Sequence, residues 1–261
     1  MNRTARSLIQ MTLFHFRTLY RNKLALFFNL IFPVLMVAIF GGLFGVPNPD
    51  TPAATDGYEI DAFDYLIPGQ LAVMLLSAGF ITIGISMASQ RESGVLRHLF
   101  STPLSIGGWA GARIVANLAM AVVQCIILFV FARIAFNVGA PSNLLGTAVV
   151  VVVSTITSLS MGMLVGTLVK GEEAAVAVTM PIVMAMFFLG NAAMPLENPP
   201  PFIAAIMPYN PTYHMTNAMR AVIRHGAGVG SVFAELAILS VLAAFFLGVS
   251  MWRLRRQYAV K

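Results

Sequence analysis

The chain has 261 residues, of which 58% are hydrophobic and only 10% are charged, and its formal net charge is +6. A mean hydropathy of +0.83 excludes an ordinary soluble domain, because a globule of this size could not hide so much apolar surface from water. The basic residues lie at the ends of apolar stretches, so the positive charge indicates membrane topology rather than nucleic-acid binding. The single cysteine, Cys125, lies within an apolar stretch and excludes a disulfide framework.

Six apolar segments are long enough to cross the hydrocarbon core of a membrane, which takes roughly 20 residues. The sequence therefore predicts an all-α integral membrane protein that forms a single transmembrane domain over residues 1–261. Its spans are predicted at Leu24–Gly45, Leu66–Ala88, Ile114–Phe136, Leu144–Val169, Ala174–Pro195 and Val232–Trp252.

Residues 1–23 precede the first span and separate into a basic face and an apolar face when they are placed on a helix. This pattern predicts an amphipathic helix that lies in the membrane interface. A basic flank that only fixes the topology is the alternative.

The Lys and Arg residues indicate the orientation of the spans. They cluster before the first span, in the second connection, in the fourth connection and after the last span, whereas the first connection carries five acidic residues and no basic one. By the positive-inside rule, both termini are expected in the cytoplasm. Arg220 and Arg224 in the fifth connection disagree with this topology, which places them outside.

The second connection, residues 89–113, contains a short polar segment, Arg91–Thr102. On a helix, Val95, Leu96, Leu99 and Phe100 fall on one face, and Arg91, Gly94, Arg97 and His98 on the other, with Glu92 in the first turn and Pro103 after the last. This arrangement predicts a cytoplasmic helix against which a partner could push. An ordinary interfacial loop helix is the alternative.

The fifth connection, residues 196–231, is expected to form an outer re-entrant hairpin. Three prolines at 199–201 interrupt the chain, and Phe202–Met207 is then too short to span before Pro208 closes it, so it dips into the membrane or lies at its surface. Asn210 and Pro211 supply an N-cap and a first-turn proline for a helix that runs to about His225 and stops at Gly226.

Several catalytic motifs are missing from the sequence. No phosphate-binding loop, zinc-protease helix or serine nucleophile elbow is present, and the four histidines are scattered, so the chain by itself is not expected to be an enzyme or to bind a metal. Arg133 and Glu235, near the outer ends of two spans, either pair as a latch or reach the interface independently. The hydroxyl-rich fourth span, with Gly162 and Gly166, favours helix packing first and the lining of a substrate pathway second.

Two segments of the chain resemble the membrane subunit of type-2 ATP-binding cassette (ABC) exporters, a permease family that includes drug and polysaccharide exporters. Arg91–Ser105, RESGVLRHLFSTPLS, is similar to the E-x-G…L…T-P-L-S stretch between the second and third spans of that family. Met180–Ile223 resembles its fifth span, outer proline-rich break, N-P pair and terminal arginine. Gly190–Ala193 departs from the family, whose members commonly have Ser-Gly before the proline, and this difference leaves the substrate class open.

The resemblance implies two copies of the membrane subunit, or one copy and a paralogue, which work with two ATPase subunits. ATP and Mg would bind to those partner chains, and no cofactor to this one. The implied contacts with the ATPase are Arg91, Glu92, Gly94, Leu96, Arg97, His98, Leu99 and Pro103. The implied outer gate comprises Pro195, Glu197, Pro208, Asn210, Pro211, Arg220 and Arg224.

The resemblance also implies that the first and fifth spans line the transport path. In the fifth span Met180, Met184, Phe187 and Phe188 would do so, and their soft, apolar side chains favour a hydrophobic or amphiphilic substrate such as a drug, lipid or glycolipid. The expected location is the cytoplasmic membrane. A polysaccharide exporter, a secondary carrier without an ATPase and a membrane anchor or assembly factor are the alternatives.

Overall fold

The computed structural model describes residues 27–44, 62–100, 106–192 and 199–258, and every secondary-structure element within these ranges is helical. Helix α1 begins with a π-helical turn at Phe27–Ile31 and continues as Phe32–Phe44, and α2 comprises Ala62–Leu76, a second π-helical turn at Ser77–Ile81, and Thr82–Glu92. The helices that follow are α3 (Val95–Phe100), α4 (Ile106–Phe136), α5 (Leu144–Leu168), α6 (Glu172–Leu189), α7 (Pro201–Ile206), α8 (Pro211–Arg224) and α9 (Phe233–Tyr258), with a 3-10 turn at Met207–Tyr209 between α7 and α8. The predicted interfacial helix at residues 1–23 lies outside the described residues.

The all-α membrane architecture predicted from the sequence is confirmed. Within the described residues, five helices are long and apolar enough to cross a membrane: α2 from Leu66, α4, α5, α6 and α9. A shorter apolar helix, Asn29–Gly42, lies in α1 where the sequence predicts the first span.

Some boundaries of the spans differ from the prediction. Helix α4 begins at Ile106 rather than Ile114. The sequence suggests a boundary at Arg113 because the residue is charged, but Arg113 is only 1% exposed and lies inside the helix bundle. The 31 residues of α4 extend over about 46 Å, more than the hydrocarbon core of about 30 Å. Helix α6 ends at Leu189, before the predicted Pro195, and α9 continues beyond Trp252 to Tyr258.

Helices α2 and α5 are the most buried spans and form the centre of the bundle. Small residues allow their backbones to approach closely: a Cβ on Gly162 would lie 2.8 Å from the Phe80 carbonyl oxygen, and one on Gly79 would lie 2.5 Å from Ser158 Cβ. The hydroxyls of α5 mostly bond within their own helix, while Thr157 also donates to the Leu239 carbonyl of α9 at 3.0 Å. The hydroxyl-rich stretch of α5 therefore serves helix packing in this structure.

Helix α8 is packed against the bundle rather than lying free on its surface. Eight of its residues are buried, and it contacts both central helices. At one end a Cβ on Gly146 would lie 3.0 Å from Val222, and further along Ser158 Oγ lies 3.9 Å from Met215 Sδ. These contacts show that α8 runs antiparallel to α5.

Candidate functional site

The predicted helix at Arg91–Thr102 is divided in the structure, so the prediction of one continuous helix is wrong. Helix α2 continues through Arg91 to Glu92, a turn follows at Ser93 and Gly94, and α3 occupies only Val95–Phe100. Gly94 has φ +76°, a left-handed conformation that glycine adopts without steric cost. This turn redirects the chain, and α3 begins directly after it.

One side of α3 is anchored in the core. Leu96 is completely buried, in an apolar cluster with Met87 of α2, Trp109 of α4 and Leu254 of α9. Leu99 and Phe100 pack on the edge of the same cluster, and the Phe100 ring contacts Trp109 with 5.7 Å between centroids. Helix α3 therefore packs directly against three spans.

The other side of α3 faces outward. Glu92, Gly94, Val95, Arg97 and His98 are exposed, and Val95 exposes 51% of its surface although the sequence places it on the apolar face. We call these five residues the α3 surface, and the end of the bundle that carries them the α3 end. Among the residues predicted to contact an ATPase, Leu96 is corrected to a core residue, Leu99 is half-buried, and Pro103 lies outside the described residues.

Arg91 is half-buried, and its guanidinium is used inside the chain. Arg91 Nη1 donates to the carbonyl oxygens of Gly166 at 2.8 Å and Val169 at 3.1 Å. These carbonyls belong to the C-terminal end of α5, where a cation is favoured by the helix dipole. Glu92 lies nearby, with its Oε1 3.3 Å from the position of a Cβ on Gly171 at the start of α6. The end of α2 is thus joined to the α5–α6 connection.

A second arginine, Arg113, is buried next to the α3 anchor. Its Nη2 donates to Gln90 Oε1 of α2 at 2.7 Å, and its guanidinium lies 4.4 Å from the centroid of the Trp109 ring. Its Nε and Nη1 have no hydrogen-bond partner among the described residues. The Gln90 bond therefore joins α4 to α2 beside α3, while the cation–π contact lies within α4.

At the opposite end of the bundle, the predicted start of α8 is confirmed. Asn210 Oδ1 accepts from the Thr212 N–H at 3.0 Å, Pro211 is the first helical residue, and Asn210 Nδ2 donates to the Met186 carbonyl of α6 at 3.0 Å. Pro208 provides a carbonyl that lies 2.8 Å from His214 Nε2. The capping residue thus also attaches α8 to α6.

Arg220 and Arg224 do not form one exposed pair. Arg220 Nη2 donates to the Asn191 carbonyl at 3.3 Å, whereas Arg224 accepts from Ser142 Oγ through its own carbonyl at 3.3 Å. Asn191 has φ +56° and follows Gly190, whose Cβ position would lie 2.7 Å from Thr212 Cβ. This close turn comprises Gly190 and Asn191, and Ala193 lies outside the described residues. Pro195 and Glu197 lie outside the described residues.

Arg133 and Glu235 do not form the suggested latch in the structure. Arg133 Nη1 donates instead to the carbonyls of Asn137 at 3.2 Å and Val138 at 3.5 Å, just beyond its own helix.

The predicted lining residues of α6 lie on a weakly buried helix. Ala175, Thr179 and Val183 form its buried stripe. Met184 and Phe188 are 49% and 62% exposed, whereas Met180 and Phe187 are half-buried. Helix α1 likewise presents an apolar stripe, Phe27, Ile31, Leu35 and Ile39, each 38–47% exposed. Both helices therefore offer apolar faces to the surroundings of the chain.

The sequence pattern does not single out the polar residues that are buried between spans. Asn29 and Gln124 are 3% and 0% exposed and take part in hydrogen bonds between helices, as does Gln90 with Arg113. A lone amide side chain within an apolar span does indicate a hydrogen bond between helices, because its burial costs free energy unless it has a partner.

Comparison with known proteins agrees with this architecture. A family profile described as "ABC-2 family transporter protein" matches residues 46–252. The Bacillus subtilis (strain 168) protein named "Putative transport permease YvfS" is 23% identical over 241 residues, which cover 92% of this chain and 94% of that protein.

Two further relatives are longer than this chain. "Probable multidrug ABC transporter permease YbhR" of Escherichia coli (strain K12) is 22% identical over 69% of this chain and 49% of that protein. "ABC transporter G family member 20" of Dictyostelium discoideum is 21% identical over 74% of this chain and 26% of its own length. The chain thus spans about half of one relative and a quarter of the other.

The fold and the matched region define a multi-pass membrane permease subunit, and the chain belongs to the ABC-2 family of transporter proteins. This family implies an ABC ATPase as partner.

Proposed function

We propose that this chain is the membrane subunit of an ATP-driven exporter in the cytoplasmic membrane, with both termini in the cytoplasm. Two copies, or one copy and a paralogue, work with two separate ATPase chains that bind ATP and Mg. The observation that carries the proposal is the α3 surface, whose exposed Glu92, Val95, Arg97 and His98 are attached to the bundle through the buried Leu96.

The α3 surface has the properties that a motor contact needs. It combines a carboxylate, a guanidinium and an imidazole with an exposed valine, so both charge pairing and apolar contact are available to a partner. Its support is rigid, since Leu96 packs against helices α2, α4 and α9 together. Force on α3 would therefore reach the spans, provided that nucleotide binds the two transporter conformations with different affinity.

Association with an ABC ATPase partner tests the contact. Wild type is expected to co-purify with the ATPase in detergent, and Val95→Asp with Arg97→Glu is expected to abolish co-purification. The matched control, His225→Glu, changes charge at an exposed residue of the opposite end and should leave the complex intact. Retention of the complex in the α3 variant would contradict this contact surface, and so would its loss in the control.

The proposed substrate is hydrophobic or amphiphilic. The support is the exposed apolar faces of α1 and α6, including Met184 and Phe188, which two facing subunits would present to one path. In reconstituted vesicles, ATP-dependent movement of an amphiphilic dye is expected and should be reduced by Phe188→Glu. ATP-dependent movement of a hydrophilic polysaccharide, with no movement of the dye, would overturn this substrate class.

A further inference from the structure

A group of hydrogen bonds connects α1, α2 and α4 where the two π-helical turns meet. Asn29 Nδ2 donates to Thr82 Oγ1 at 2.9 Å, and Gln124 Nε2 donates to the backbone carbonyl of Asn29 at 2.9 Å. Asn29 and Gln124 are 3% and 0% exposed. We call Asn29, Thr82 and Gln124 the Asn29 node.

The backbone explains why polar side chains occur at this place. Pro33 has no N–H, so it cannot donate to the carbonyl of Asn29, four residues earlier, and Gln124 supplies a donor instead. In α2, the Thr82 N–H bonds the Ser77 carbonyl across the π-helical turn, and the Thr82 hydroxyl lies 3.4 Å from the same oxygen. Both irregular turns are thus satisfied through residues of the node.

The node attaches α1 through directional hydrogen bonds, whereas the rest of the helix is attached through apolar packing. Beyond it, α1 packs on α2 and α4 through aliphatic contacts such as Val34 and Val37 against Leu71 and Leu128. Contacts between branched aliphatic side chains tolerate small sliding movements, whereas an amide hydrogen bond requires a narrow range of distance and angle. The opposite face of α1 is the exposed stripe that contains Ile31 and Ile39.

We propose that Asn29, Thr82 and Gln124 are positioning residues that fix the register of α1 against α2 and α4. Helical π-turns often occur at functional sites, and here two of them lie side by side at the point of attachment. A second role rests on the proposed function. The node sets how α1 faces the transport path, and thereby the amount of substrate moved per ATP hydrolysed.

The register can be measured on the full chain alone. With Cys125 replaced by alanine, spin labels at Ile39→Cys in α1 and Val130→Cys in α4, both about half exposed, report the distance between the two helices by pulsed EPR. One narrow distribution is expected with the node intact. Thr82→Val or Gln124→Leu should shift or broaden this distribution, because α1 could then slide along its axis by about 1.5 Å, the rise of one helical residue.

Two controls separate register from general stability. Thr82→Ser keeps the hydroxyl and should restore the narrow distribution. Thr157→Val removes another bond between helices, to the Leu239 carbonyl of α9, and should leave the α1–α4 distance unchanged. The proposal is overturned if the node variants keep the narrow distribution, or if Thr157→Val broadens it equally.

The consequence for transport has its own readout. Thr82→Val should lower the amount of substrate moved per ATP hydrolysed. Thr82→Ser and Thr157→Val should leave this ratio unchanged. If the distance changes but the ratio does not, the coupling role is overturned while the register role stands. If the wild type shows no ATP-dependent transport at all, the proposed function fails and the EPR result still decides the register.

Discussion

Two arginines show that a charged residue expected at the surface can lie within the fold. Arg91 and Arg113 both stand in the polar connection between two spans, which predicts exposure to the cytoplasm. The structure instead bonds Arg91 to the end of α5 and places Arg113 over the Trp109 ring. The carbonyl partners of Arg91 are distant in sequence, so no local pattern predicts them, whereas Trp109 lies four residues before Arg113 on the same helix.

Arg91→Ala should lower the stability of the chain. It removes two hydrogen bonds from a guanidinium to the final carbonyls of α5, and a bond to a charged group contributes about 1.5–3 kcal/mol. Thermal unfolding in detergent should therefore show a lower Tm than wild type. Arg97→Ala, at an exposed position, is the control and should keep the Tm. Equal Tm values for both variants would contradict the capping role of Arg91.

Leu96 and Val95 are neighbours with opposite expected effects. Leu96→Ala leaves a cavity in the cluster of α2, α4 and α9, at a cost of about 2–5 kcal/mol. Val95→Ala, on an exposed side chain, should leave stability unchanged and weaken ATPase association. Size-exclusion profiles after heating, measured beside co-purification, check both. A stable Leu96→Ala protein would show that α3 is not anchored as described.

At the scale of elements, local chemistry predicts some helices well and others poorly. The start of α8 follows from Asn210 and Pro211 because capping and proline geometry depend on adjacent residues only. The start of α3 does not follow from adjacent residues, since a glycine such as Gly94 can lie within a helix or end one. The packing of Leu96 decides between these two conformations.

The contact between α2 and α5 leads to a prediction at this scale. Gly162→Ala would place a methyl group 2.8 Å from the Phe80 carbonyl and even closer to the Gly79 carbonyl, so the two central helices must separate. A lower Tm is expected in detergent. Gly248→Ala in α9 meets no atom within 4 Å and should match or exceed wild type, because alanine favours helices. A stable Gly162→Ala variant would refute the close contact.

At the scale of the whole molecule, six apolar segments of about 20 residues predict an all-α membrane protein, because each is long enough to cross the hydrocarbon core as a helix. The α3 surface and the Asn29 node depend instead on contacts between distant segments. Sequence indicated where the polar segment of the α3 surface lies, but not which of its residues face outward. The structure assigns Leu96 to the core and shows Val95, Arg97 and His98 as exposed.

ATP-dependent transport in inverted membrane vesicles tests the central claim most directly. Vesicles containing this chain and its ATPase should accumulate an amphiphilic dye when ATP is added. They should not do so with a proton gradient alone, without the ATPase, or with the Val95→Asp, Arg97→Glu variant. Accumulation driven by a gradient in the absence of the ATPase would contradict the motor-driven account and identify a secondary carrier.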